Sequence, residues 1–158
     1  MRPSGFYQRA GRLQGGMAPT LRPAAPADAP LIVAVDAAAG LSRAPHVPAL
    51  VAELLGLGMS WIAEADGAVA GYAIVSRRFF SRPFVELLAV HPAWRRRGVG
   101  VALMARCAAT HDSDRLFTST NRSNAAMQAL LTQTGFEPSG VIENLDPGDP
   151  ELVYVKFR

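Results

Sequence analysis

Cysteine and lysine are almost missing from this chain of 158 residues; each occurs once, as Cys107 and Lys156. A lone thiol closes no internal disulfide and builds no Cys-rich zinc site. A reducing compartment, the cytoplasm, is the natural expectation. Long apolar runs are also missing: none approaches the roughly 20 residues that cross a bilayer, so no membrane partner is expected. Met1 to Gly16 is basic and polar with no apolar stretch behind the charges, which is not a secretory signal; an Arg-bearing mitochondrial-type start is a minor alternative. The three histidines, His46, His91 and His111, lack metal-ligand spacing, and no metal is expected.

Apolar residues make up 49% of the chain. One domain of this size hides roughly 70% of the surface its unfolded chain exposes. The formal charge is +3 and the pI about 9.6. That balance suits an anionic partner or reflects composition bias in an Ala- and Pro-rich chain. The run Arg95-Arg96-Arg97 favours the partner. No aromatic cluster interleaves it, which argues against stacking on single-stranded nucleic acid.

Residues 1–19 read as a Gly- and Arg-rich tail without period, with Met17 an alternative start; residues 20–158 read as the domain. Strands are predicted at Thr20 to Ala24, Trp61 to Glu64, Ala68 to Arg78, Phe84 to Val90, Leu116 to Thr120, Glu137 to Ile142 and Leu152 to Phe157. Helices are predicted at Ala27 to Ala39, opening near Asp28, at Val47 to Leu57, at Gly98 to Thr110 and at Asn124 to Thr134. Asp66-Gly67 signals a hairpin. Pro83 is expected to limit its strand, leaving Phe79 to Pro83 as a loop. The Phe84 to Val90 strand is dense in apolar residues and should be central. Cys107 follows Val99 and Leu103 at multiples of four and should be a core residue. The class is mixed α/β, with helices packed on one sheet.

The chemistry concentrates between Val85 and Gly100, which reads strand, turn, Gly-containing loop, helix. A helix start offers unpaired amides and partial positive charge to phosphate. Gly98 and Gly100 remove side chains where phosphate would approach, and the three Arg add forked donors. The segment lacks the P-loop and three-glycine dinucleotide patterns. Arg95-Arg96-Arg97-Gly98-Val99-Gly100 matches the coenzyme motif of the GCN5-related N-acetyltransferase (GNAT) superfamily: Arg or Gln, two residues, Gly, one residue, Gly or Ala. Leu88-Ala89-Val90-His91-Pro92 looks like that family's fourth strand and exit. Asn124-Ala125-Ala126 through Gly135-Phe136 looks like its "Asn … Gly-Phe" segment, and Leu21-Arg22-Pro23-Ala24 with Asp28 resembles its opening strand. The chain therefore resembles this superfamily over about residues 20 to 158.

The resemblance implies a mostly antiparallel sheet of six to seven strands, splayed between the fourth and fifth, with helices on both faces. It implies acetyl-CoA as co-substrate, and an amine of a small molecule or peptide as acceptor, acetylated by direct attack in a ternary complex. Leu88, Ala89 and Val90 would meet the pantetheine, Arg95 to Val101 would hold the pyrophosphate, and Asn124 would touch the coenzyme near its pantetheine end. Dimers are common among similar proteins, so a homodimer is compatible with it.

A backbone amide near Leu88 would stabilise an oxyanion. Glu86 is the base candidate, two and four residues from Leu88 and Val90 and so expected on their strand face. A carboxylate in apolar surroundings gains basicity; the competing reading pairs it with an Arg such as Arg78. Many relatives carry a Tyr four residues before the Gly of Gly-Phe, where this chain has Leu131, so no acid is expected there. Tyr154 is the substitute, although a core role suits it better. His111 closes a helix, where a cation suits the dipole. Phe79, Phe80 and Phe84, ringed by Arg77, Arg78 and Arg82, either line the acceptor pocket or belong to the core or an interface. The alternatives to an acetyltransferase are an acyl-CoA-binding module without turnover and a nucleic-acid-binding domain using Arg95 to Arg97.

Overall fold

The computed structural model describes residues 18–41, 47–57 and 59–158. Residues 1–17 of the expected tail, and His46, lie outside the described residues. A seven-stranded sheet runs in the order β1-β2-β3-β4-β5-β7-β6. Its strands are β1 (Thr20–Pro23), β2 (Trp61–Ala65), β3 (Ala68–Phe79), β4 (Arg82–Val90), β5 (Arg115–Asn121), β6 (Glu137–Ile142) and β7 (Glu151–Phe157). Among the described residues only β4 and β5 pair in parallel; the other neighbours are antiparallel. The apolar β4 sits in the middle, as its composition predicted.

Among the described residues four α-helices cover the sheet: α1 (Ala29–Ala39), α2 (Val47–Leu55), α3 (Val99–Thr110) and α4 (Ala125–Gln133). On one face Ile32 and Val35 of α1, and Val51, Leu54 and Leu55 of α2, pack on Ile62, Tyr72, Ile74 and Ala89. On the other, Val99, Leu103, Met104 and Cys107 of α3, with Leu131 of α4, pack on Ala73, Val75, Val85, Leu116 and Tyr154. Two-residue alternation along β3 sends Tyr72 and Ile74 to one layer and Ala73 and Val75 to the other.

Both tight hairpins turn through left-handed residues. Asp66 (φ 49°) and Gly67 (φ 76°) join β2 to β3 as the sequence predicted. Phe80 (φ 50°) and Ser81 (φ 59°) join β3 to β4 with no Gly or Asn to signal it. The expected loop from Phe79 to Pro83 is therefore only two residues long. Pro83 lies inside β4, where the β3 register shifts between Ser76 and Phe79. A shifted ladder makes no demand on the missing proline donor.

Asp28 does not cap α1 with its side chain. Instead its two carboxylate oxygens accept from Arg22 Nη1 and Nη2, each at 2.8 Å, and Oδ2 also accepts from the Ala25 amide at 2.7 Å. The chain's Gly-Phe step is a helix stop. Gly135 is left-handed (φ 80°) and the Phe136 amide donates to the Leu131 carbonyl at 2.9 Å, swinging the Phe136 ring into the core.

Candidate functional site

Where β4 leaves β5, the sheet opens. The two strands pair only at Phe84 with Phe117 and Val85 with Thr118, and the Thr118 hydroxyl donates to the Val85 carbonyl at 3.1 Å. Immediately afterwards the β3–β4 register shifts: Val75 faces Val85 but Ile74 faces Leu87, which leaves Glu86 as the extra residue of a bulge. The His91 amide donates to the Ala70 carbonyl at 2.9 Å. With the two-residue period of a strand, Leu88 and Val90 then turn their backbone groups away from β3, toward the gap beside β5. Ala89 differs. Its side chain is buried against α1 and α2, and its carbonyl points at Gly71, whose added Cβ would lie 2.7 Å from it.

The bulge corrects the expected placement of Glu86. Val85, Leu88 and Val90 lie in the layer of α3 and α4, whereas the Glu86 carboxylate accepts a hydrogen bond from the Ser76 hydroxyl. Alternation along β3 puts Ser76 on the Tyr72 and Ile74 side, so Glu86 does not share a face with Leu88 and Val90. It opens into a cleft of about 290 Å³ shared by β3, β4, β5, β7 and the end of β6. The expected pairing with Arg78 is not formed: Arg78 Nη1 stands 3.3 Å from Glu53 Oε1 of α2, although Arg78 also reaches the cleft.

Phe79 and Phe84 line this cleft, their ring centroids 4.8 Å apart. Phe80 does not; it is 86% exposed at the hairpin tip and meets Phe79 edge-on. Arg77 and Arg82 are drawn instead to Asp112 and Asp114. Ser119, Ile142, Leu145, Glu151 and Val153 complete the lining. None of these was singled out in the sequence, because they come from three separate segments that only the β5-β7-β6 order brings together.

Beyond β4, a single 3-10 turn (Pro92–Trp94) leads to α3, with His91 Nδ1 accepting from the Ala93 amide at 3.2 Å. The three arginines are exposed but not equivalent. Arg95 Nη2 donates to the Ala39 carbonyl at the end of α1 at 3.3 Å, Arg96 is left-handed (φ 59°), and Arg97 lies over the Trp94 ring at 5.0 Å. Gly98, left-handed at φ 80°, is the N-cap of α3, and among the described residues no atom beyond its chain neighbours lies within 4 Å of where its Cβ would be. The Ala102 amide closes the first turn on the Gly98 carbonyl at 2.9 Å, leaving the amides of Val99, Gly100 and Val101 without intrahelical acceptors. These amides and the open ground at Gly98 suit a diphosphate.

Gly100 has a different reason to be glycine. A Cβ there would stand 3.1 Å from Leu130 Cδ2, so this position serves the approach of α4 to α3 rather than room for phosphate. Asn124 is the N-cap of α4, its Oδ1 accepting from the Met127 amide at 3.1 Å. Leu131 is fully buried and Tyr154 nearly so, both in the core of α3 and α4. Burial pushes the Cys107 thiol up to about 12, which keeps it protonated. His111 is buried at the end of α3, and Nδ1 accepts from the Ser113 amide at 3.2 Å. Burial first, then the charge of Arg158, lowers its pKa, which works against the cation that would suit a helix end. Among the described residues no three His, Cys, Asp or Glu side chains are grouped to hold a metal, and no helix is long and apolar enough to cross a membrane.

Residues 42–136 match the family model described as acetyltransferase (GNAT) family. A mycothiol acetyltransferase from Parafrankia sp. is 37% identical over 97 residues, which are 57% of this chain but only 30% of that protein's length. The chain thus matches less than a third of that relative. The crystal structure of a GNAT-family acetyltransferase from Bacillus cereus superposes with a TM-score of 0.82 at 28% identity, covering 90% of this chain and 99% of the other. Diaminobutyrate acetyltransferase from Paenibacillus lautus, solved with L-2,4-diaminobutyric acid and coenzyme A, shares the fold with a TM-score of 0.72 at 21% identity, over 89% of this chain and 95% of the other.

Proposed function

The chain belongs to the acetyltransferase (GNAT) family, and from that premise we propose that it transfers an acetyl group from acetyl-CoA to a primary amine of a small molecule or peptide. One observation carries the reading: β4 pairs with β5 only at Phe84 and Val85, which leaves the backbone of Leu88 and Val90 facing the opening beside β5. The residues there and at the α3 entrance fit the coenzyme. The amides of Val99, Gly100 and Val101, with Arg95, Arg96 and Arg97 beside them, would hold the diphosphate. The backbone of Leu88 and Val90 would pair with the pantetheine like an added strand, and the Leu88 amide would face the acetyl carbonyl. Ala89 would contribute through spacing alone. The Asn124 carboxamide keeps its Nδ2 for the coenzyme while Oδ1 caps α4.

When bound, the coenzyme supplies an acetyl thioester: the amine nitrogen bonds to its carbonyl carbon, the C–S bond breaks, and the thiolate leaves to take up a proton. The protein must bring the amine up neutral and in line. Glu86 would accept the amine's proton, directly or through water, with its carboxylate oriented by the Ser76 hydroxyl. Leu131 occupies the position where a proton donor would stand, so the thiolate would leave without help from that side chain. The same feature supports the second reading, an acyl-CoA-binding module without turnover. Residues 20–158 would form one catalytic domain, and the single cysteine favours work in the reducing cytoplasm.

Thiol release from acetyl-CoA, followed across a panel of amines, separates the two readings. Release with at least one amine supports the transferase; coenzyme binding without release from any amine supports the module. Glu86→Gln should then slow turnover by about a hundredfold or more, the range of general-base catalysis, with coenzyme affinity intact. Unchanged turnover removes Glu86 as the base.

A further inference from the structure

The Glu86 cleft is unlike the coenzyme path in both charge and greasiness. Its volume of about 290 Å³ accommodates roughly ten non-hydrogen atoms, taking ~30 Å³ for each as in liquid water. Phe79, Phe84, Ile142, Leu145 and Val153 make most of its wall. Among the described residues two carboxylates reach it, Glu86 and Glu151, against a single guanidinium, Arg78. That guanidinium is already answered from outside the cleft by Glu53 at 3.3 Å. Glu151 is also held in place: it opens β7 and is paired on both sides, with Asn121 of β5 and Ile142 of β6.

We infer that the acceptor is a small amine with an apolar body and no carboxylate of its own, its ammonium drawn by Glu86 and Glu151 and its hydrocarbon seated between Phe84 and the Ile142–Leu145 side. The inference rests on the proposed transferase reading and narrows its substrate. An ammonium gains from two carboxylates in a half-apolar cleft, where charges are poorly screened. A carboxylate on the same molecule meets both of them and finds only an engaged arginine. A diamine gains the charge but leaves the Phe79–Phe84 wall uncovered, forfeiting the apolar contact that dominates small-ligand binding.

The test is calorimetry on the full chain saturated with coenzyme A, so that binding is read without transfer. Coenzyme affinity is measured first, then 2-phenylethylamine, phenylalanine and 1,4-diaminobutane are titrated. The expected order places 2-phenylethylamine at least tenfold tighter than either of the others. Glu151→Gln, shown by melting to be folded, should weaken 2-phenylethylamine about fivefold and move phenylalanine less than twofold. Phenylalanine binding as tightly as 2-phenylethylamine overturns the charge argument, diaminobutane binding tightest overturns the apolar one, and silence from all three overturns the inference. Loss of coenzyme binding itself would instead bring down the transferase reading and this inference with it.

Discussion

Gly98 and Gly100 stand two residues apart in one motif and are glycine for different reasons. Gly98 needs a left-handed backbone and looks onto open space; Gly100 looks onto Leu130. A valine at 98 would carry strain of about 1–2 kcal/mol and fill the ground where phosphate oxygens would sit. Gly98→Val should therefore abolish acetyl-CoA binding in calorimetry while the fold survives. Gly100→Ala asks only that the flexible end of Leu130 move a few tenths of an ångström. It should leave coenzyme affinity within about threefold, an order-of-magnitude expectation for a small packing change. Equal losses at both positions would show that the phosphate needs both.

Asp28 offers a second residue-scale test, of stability. The Arg22 hydrogen bonds hold its carboxyl below its ordinary value of 3.8. A carboxyl so depressed contributes stability that is complete above its unfolded pKa and lost as pH falls through the folded one. Asp28→Asn should cost about 1–2 kcal/mol at neutral pH, discounted for the part-exposed Arg22. The gap from the parent protein should close below about pH 4, as urea melts over a pH series would show. A gap independent of pH would mean that the ion pair does not hold β1 to the start of α1.

At the scale of elements, most of the fold could be read from periodicity and breakers. All seven strands and four helices were expected near their observed positions, because alternating apolar residues and the Gly and Pro stops report local conformation directly. What escaped was whatever depends on a neighbouring strand. The bulge at Glu86 leaves no mark in a run of Val, Leu and Ala, yet one extra residue reversed the face on which the carboxylate stands. Pro83 was read as a strand limit because the register shift that excuses it lies in β3. The coenzyme loop was legible since it is contiguous; the cleft was not, since Ser119, Leu145 and Glu151 meet only through topology. The turn at Phe80-Ser81 escaped as well, having neither residue that left-handed turns prefer. That omission has a measurable consequence. Ser81 sits at φ 59°, and Ser81→Gly should relieve strain and raise stability by about 0.5–1 kcal/mol. A fall in melting temperature would mean that the hydroxyl contributes more than the strain removes.

For the whole molecule, the proposed coenzyme line would run through three places: the α3 entrance, the opening between β4 and β5, and the Glu86 cleft. The sheet carries all three, with α3 on one face and the Glu86 carboxylate turned to the other. A ligand that spans this line would bind only the folded chain, and so must stabilise it by an amount that grows with the logarithm of its concentration relative to its dissociation constant. Melting temperature against acetyl-CoA concentration therefore tests the central claim most directly. At about a hundred times its dissociation constant the coenzyme should add about 2.7 kcal/mol. For a domain of this size that is a rise of roughly 5–10 °C, absent from the Gly98→Val protein. A melting temperature that stays flat as acetyl-CoA climbs into the millimolar range would contradict the account.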